Sequence, residues 1–165
     1  MISYPEGCMK RKVYLETTIA SYLTARPSRD LVVAAHQELT IEWWANHRQR
    51  FDLYISEFVL REAAKGDESA AARRLAELKG IEVLDLDDGA RELARVFVER
   101  RLIPEKAVED AFHVAVATAQ GMDFLLTWNC RHIANAEVVE RLEAVCLELG
   151  YLIPTLCTPE QLMGD

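Results

Sequence analysis

An α/β domain built on a parallel sheet is what this sequence predicts, on three observations. Short apolar runs of strand length alternate with longer segments of helical periodicity along the whole chain. Glycines and capping residues fall between them where helices must start and stop. Acid or amide residues stand close to several apolar runs, near the carboxyl ends of buried strands, which is where open parallel sheets bind ligands. At 165 residues one domain is expected, large enough to bury most of its apolar surface without staples.

Residues 12–15, with Val13, Tyr14 and Leu15, read as a short buried strand. Thr17 or Thr18 is placed to cap a short helix through Leu23, which stops before Arg26-Pro27 because a residue preceding proline avoids the helical region. Ser28 or Asp30 caps a longer helix to about His47, in which Leu31, Ala35, Leu39 and Trp43 recur at four-residue spacing. The adjacent Trp43 and Trp44 read as core or subunit interface rather than as a stacking platform for bases. A second strand over 51–56 leads into a helix over 57–64 that ends at Gly66. Asp67 or Ser69 starts the helix over 70–79, with Gly80 as its C-terminal cap.

Residues 81–86 form the third strand, whose interleaved acids suit an edge. Asp87 and Asp88 cap a helix over 90–101, Pro104 punctuates, and a helix over 106–120 closes at Gly121. The run 124–127 is the most apolar and is expected to be central. A last helix over 136–149 stops at Gly150, and Tyr151 to Ile153 reads as a final strand that Pro154 keeps at an edge. No repeat, low-complexity tract or linker interrupts the pattern.

Half the residues are hydrophobic and 28% are charged, an ordinary globular balance. No apolar run approaches the roughly 20 residues that cross a bilayer. Met1 to Pro5 lacks the apolar segment of a signal peptide, so a cytoplasmic protein is expected. Cys8, Cys130, Cys146 and Cys157 show no metal-type pairing and read as reduced thiols. The net charge of −8 argues against binding nucleic acid by bulk electrostatics. Lys10-Arg11-Lys12, Arg100-Arg101 and Arg131-His132 read as solvated surface clusters.

Four positions carry candidate chemistry. Glu16 follows the first strand, Asn129 follows the fourth, and Asp110 stands in the first turn of the helix leading into the fourth. Glu62 lies about one and a half helical turns past the end of the second strand. Each has an ordinary explanation alone: a helix-dipole acid at Asp110, a surface pair of Glu62 with Lys65 or Arg61, a turn residue at Asn129. Glu16 resists one, because buried carboxylates are rare without partners. Placed at one edge of a sheet, their oxygens suit a hard divalent cation, and such a cation suggests phosphodiester chemistry. Adjacent helical residues point about 100° apart, so only one of Glu109 and Asp110 faces the crevice. His113, at i+3 from Asp110, is in reach of the site as a proton carrier but reads first as a packed or surface histidine. His132, beside Arg131, is a candidate phosphate contact but reads first as a surface residue whose loss leaves metal affinity unchanged.

Four segments, in order and each on its expected element, resemble the PIN domain family, most closely the VapC-type toxins of toxin–antitoxin pairs. They are Val-Tyr-Leu-Glu-Thr-Thr-Ile-Ala-Ser-Tyr-Leu at 13–23, Ile-Ser-Glu-Phe-Val-Leu-Arg-Glu at 55–62, Glu-Asp-Ala-Phe-His-Val-Ala-Val-Ala at 109–117 and Leu-Leu-Thr-Trp-Asn-Cys-Arg-His-Ile at 125–133. Thr-Pro-Glu-Gln-Leu at 158–162 is similar to the family's close, so the likeness spans a core of about 12–162. The resemblance implies a three-layer α/β/α fold with a parallel five-stranded sheet in the order 3-2-1-4-5, which sets Glu16 and Asn129 across the crevice. It implies Mg²⁺- or Mn²⁺-dependent cleavage of RNA, an RNA substrate, a small antitoxin partner and a homodimer. By position Glu16, Glu62 and Asp110 correspond to the metal acids, Asn129 to the fourth site, and Thr17 and Thr127 to supporting hydroxyls. The register selects Asp110 over Glu109.

Two departures from that pattern matter. Glu16 stands where aspartate is usual, with ~1.5 Å of extra reach, so it must fold back, shift the metal or act through water. Asn129 brings a carbonyl but no charge, leaving three formal negatives, enough for one cation. In-line hydrolysis is the implied chemistry, with Glu16 and Asp110 as principal ligands and Glu62 as a further ligand or water-positioning group. Asn129 would orient ligands from outside. A basic antitoxin segment fits the acidic balance. The alternative is a protein of the same fold with a weakened site, serving as an RNA- or antitoxin-binding scaffold. A receiver-like signalling domain is disfavoured, because no acidic pair lies near Glu16 and the segment Tyr151-Leu152-Ile153-Pro154 has no lysine.

Overall fold

Five parallel strands form one sheet in the order β3-β2-β1-β4-β5. They are β1 Arg11–Leu15, β2 Phe51–Ser56, β3 Glu82–Leu84, β4 Phe124–Leu126 and β5 Thr155–Cys157. The seven α-helices between them are α1 Thr17–Thr24, α2 Leu31–Asn46, α3 Glu57–Ala63, α4 Glu68–Leu78, α5 Asp88–Glu99, α6 Val108–Ala119 and α7 Ala136–Glu148. This computed structural model describes residues 9–164, so Cys8 and the opening residues 1–5 lie outside the described residues. The arrangement is a three-layer α/β/α sandwich.

Parallel strands are covered on both faces, so they read as continuous apolar runs. Val13, Tyr14 and Leu15 of β1 and all three residues of β4 are buried. Their register pairs Leu15 with Leu126. The Glu16 N–H donates to the Leu126 carbonyl at 3.0 Å, carrying the pairing one residue past β1. Strand order reverses between β1 and β4, the point at which open parallel sheets bind ligands. Trp43 is fully buried and stacks on Phe51 at 6.0 Å between ring centroids, while Trp44 is nearly buried. Leu125, fully buried in β4, is expected to cost about 2–5 kcal/mol when cut to alanine, measurable by urea denaturation.

Asp30, Asp67, Asp87 and Asn135 cap α2, α4, α5 and α7, each accepting backbone N–H groups of the first turn. Neither Thr17 nor Thr18 caps α1. Glu16 holds the cap position without a side-chain cap bond, and both threonine hydroxyls are drawn to carboxylates instead. The helix expected over 106–120 begins with a 3-10 turn at Glu105–Ala107.

The final strand is also displaced from expectation. Tyr151 to Ile153 is not a strand; the Tyr151 N–H closes α7 by donating to the Cys146 carbonyl, and Leu152 is exposed. Pairing begins only at Thr155, whose N–H donates to the Asp123 carbonyl at 3.0 Å. Pro154 lacks a donor, so it precedes the ladder rather than ending it. Among the described residues Cys130, Cys146 and Cys157 are free thiols, and no described helix is long and apolar enough to cross a membrane.

Candidate metal centre

The end of β1 places Glu16 at the switch point, and the start of the loop after β4 holds it there. Glu16 is 4% exposed. Its Oε2 accepts the Thr18 hydroxyl at 2.5 Å and the Thr127 hydroxyl at 2.7 Å. Each hydroxyl in turn accepts a backbone N–H, Trp128 to Thr18 at 2.8 Å and Asn129 to Thr127 at 2.9 Å. A hydroxyl has one proton to give, so accepting from the loop commits each threonine to donate to Glu16. Oε1 takes no hydrogen bond from the described residues. The side chain is thus clamped at two points on one oxygen.

Glu62, at the end of α3, meets Glu16 from the β2 side. Its Oε2 accepts the Thr17 hydroxyl and lies 2.8 Å from His113 Nε2. Burial alone would raise the Glu62 pKa, but the hydrogen bond and charge of His113, the Thr17 hydroxyl and Glu109 outweigh it and hold the carboxyl down to about 2. His113 is fully buried. Burial would lower its pKa, yet Glu62, Glu16 and Asp110 together raise it. One ligand atom each from Glu16, Glu62 and His113 lies within 4.8 Å of the others.

Asp110, half-buried in the first turn of α6, is one turn before His113 and therefore on a neighbouring strip of the helix surface. Its Oδ2 lies 2.9 Å from His132 Nδ1. Glu109 instead pairs with Lys65 at 3.0 Å, and Arg61 lies over the Phe58 ring. Both surface partners considered for Glu62 are thereby occupied elsewhere. Among the described residues no lysine or arginine pairs with Glu16, Glu62 or Asp110; the rings of His113 and His132 lie against Glu62 and Asp110.

Asn129 takes another part. Its Oδ1 accepts the His132 N–H at 3.0 Å, and its carbonyl accepts from Ile133 and Ala134. It closes the loop that carries the His132 ring to Asp110. Thr17 serves Glu62 rather than Glu16, and Thr127 serves Glu16. Thr18, Tyr14 and Ser56 were not legible as participants from sequence; His113 and His132 are candidates there as a proton carrier and a phosphate contact, second to packed or surface roles. A tyrosine inside a buried strand was the one available hint, since its hydroxyl must find a partner.

Among the described residues the group whose ligand atoms converge is Glu16, Glu62 and His113, and Asp110 is not part of it. The two carboxylates, with no lysine or arginine paired to them, are oxygen donors of the kind a hard divalent cation takes. His113 spends Nε2 on Glu62 and Nδ1 on Tyr14, so it is a neighbour of that set. Two carboxylates that approach from separate elements suit one such ion.

No protein-family model matches the sequence, and no curated protein matches it. Solved structures do. VapBC2 from Rickettsia felis, bound to a DNA fragment from their promoter, is similar over 89% of this chain and 98% of its own, at 17% identity and a TM-score of 0.52. VapC20 of Mycobacterium tuberculosis, a toxin that cleaves the sarcin–ricin loop, is similar over 68% of this chain and 86% of its own, at 19% identity and a TM-score of 0.53. Identities this low speak for architecture. With its 3-2-1-4-5 sheet and acids at the switch point, the chain has the PIN-domain fold of the VapC-type structures.

Proposed function

We propose that this protein is a divalent-metal-dependent ribonuclease of the VapC type, hydrolysing RNA phosphodiester bonds. The observation that carries the reading is the approach of Glu16 and Glu62 from separate elements at the sheet's switch point, without an arginine or lysine to neutralise them. Glu16, Glu62 and Asp110 would hold Mg²⁺ or Mn²⁺, which when bound supplies Lewis acidity toward a phosphate and lowers the pKa of water. Around it, Thr18 and Thr127 fix Glu16 through Oε2 and leave Oε1 without a hydrogen bond from the described residues. Glu62 is kept ionised, ready to hold the ion or to accept a proton from an attacking water. Thr17 orients Glu62, and Asn129 acts through its loop on His132 and so on Asp110.

RNA as substrate, a small antitoxin as partner, a homodimer and a cytoplasmic setting complete the proposal. The net charge of −8 favours a basic partner segment over unaided capture of polyanions. Cleavage of a structured RNA should require Mn²⁺ or Mg²⁺, stop with EDTA, and vanish in Asp110→Ala. Cleavage that persists in EDTA would refute it. The contact with Asp110 also revises the sequence expectation for His132. His132→Ala should weaken Mn²⁺ binding roughly tenfold, as loss of a group holding a ligand does, with calorimetry as the measure.

One observation favours a second reading, a metal-binding scaffold with little activity. The Asn129 amide oxygen is spent within its own loop, leaving three acids where the resemblance implies four positions. Mn²⁺ binding without cleavage of any RNA would select it.

A further inference from the structure

Behind Glu62 runs a line of buried polar groups with no role in the site as described. The Ser56 hydroxyl lies 2.6 Å from the Tyr14 hydroxyl, which lies 2.7 Å from His113 Nδ1. Across the ring, His113 Nε2 is 2.8 Å from Glu62 Oε2. Ser56, Tyr14 and His113 are all at most 1% exposed. They come from β2, β1 and α6, so the line crosses the fold. Burying three polar groups in an apolar core is costly unless each is partnered, and here each is partnered only through the next.

The polarity of the line follows from its end. Glu62 is a carboxylate and can only accept, so His113 donates from Nε2, in the neutral Nε2–H tautomer and in the imidazolium alike. In the neutral tautomer Nδ1 accepts the Tyr14 proton, and Tyr14 accepts from Ser56. Aromatic packing holds the ring as well: Tyr14 and Phe58 lie at centroid distances of 5.9 and 6.4 Å. The imidazole therefore has one orientation, and its fixed donor occupies the same Glu62 oxygen as Thr17.

We infer that His113, backed by Tyr14 and Ser56, is a positioning residue that sets the orientation of Glu62 and leaves its other oxygen to the ion. The assignment rests on the metal-site reading above. His113 itself touches neither ion nor substrate. Groups that orient a metal ligand are worth about 10- to 100-fold in affinity, and that is the effect expected here.

The test is calorimetric Mn²⁺ titration of the wild type, His113→Leu, His113→Gln and Tyr14→Phe, with folding checked by thermal melts. His113→Leu should weaken binding about 10- to 100-fold. His113→Gln should recover most of it, because its amide nitrogen reaches where Nε2 stood. Tyr14→Phe, distant from the ion, should show a smaller loss. Wild-type affinity in His113→Leu would overturn the assignment, as would equal loss in the Leu and Gln variants, which would make the ring a direct ligand. Should the Leu variant not fold, nitrogen NMR of the metal-free wild type decides. A slowly exchanging proton on His113 Nε2 supports the assignment, and a bare Nε2 overturns it. If the wild type takes up no Mn²⁺ while that proton is present, the metal reading fails and this assignment falls with it, even though the His113–Glu62 contact is real.

Discussion

Glu16→Gln is expected to lower RNA cleavage on the order of 10³-fold, because removing a ligand forfeits several kcal/mol of charge stabilisation and each 1.36 kcal/mol is tenfold. Glutamine keeps the shape and still offers a carbonyl oxygen to the Thr18 and Thr127 hydroxyls. What it removes is the charge. The metal-free variant should then be at least as stable as the wild type, since Glu16 is buried close to Glu62 with no arginine or lysine beside it. Glu16→Ala would instead orphan two hydroxyls at about 1–3 kcal/mol each, confusing folding with chemistry. Cleavage kinetics and urea denaturation in EDTA, run on the same preparation, separate the two. A variant that cuts at the wild-type rate would remove Glu16 from the mechanism.

The metal-free protein should also be most stable between about pH 4.5 and 6.5. Glu62 is held at about 2 when folded against 4.5 when free. Its contribution is complete above 4.5 and disappears as pH falls from there through 2. His113 runs the other way. Its folded pKa is raised above 6.5, so its contribution is complete below 6.5 and is lost as pH rises through the raised value. Stability in EDTA, measured by urea denaturation across pH for the wild type and Glu62→Gln, isolates these terms. The difference between the two proteins should shrink on the acid side of 4.5. A difference that stays constant from pH 5 to 2 would contradict the pairing.

Much of this fold was legible because parallel strands are apolar throughout and helices announce their ends. Asp30, Asp67 and Asp87 were placed as caps from sequence and cap as expected. The last strand was misplaced because three residues carry too little periodicity to set a boundary, and Pro154 can stand before a strand as well as after one. Glu16, Glu62 and Asp110 were legible as candidates because acids beside apolar runs are hard to explain locally. Thr17 and Thr127 were expected as supporting hydroxyls through the resemblance, but Thr18 was not, since a threonine beside a strand looks like a cap until its carboxylate partner is in place. Tyr14 and His113 matter through contacts from residues 42 to 99 positions away, a distance no local pattern spans. Asn129 was singled out for its place after β4, and its amide turned inward to its own loop.

The claim at the centre is that acids from β1, α3 and α6 hold one ion between them. Calorimetric titration of Mn²⁺ into the wild type, Glu16→Gln and Asp110→Ala tests it most directly. One ion per chain in the wild type and none in either variant, all three equally folded, is the predicted result. An equal uptake by all three proteins, or none by the wild type, would contradict it.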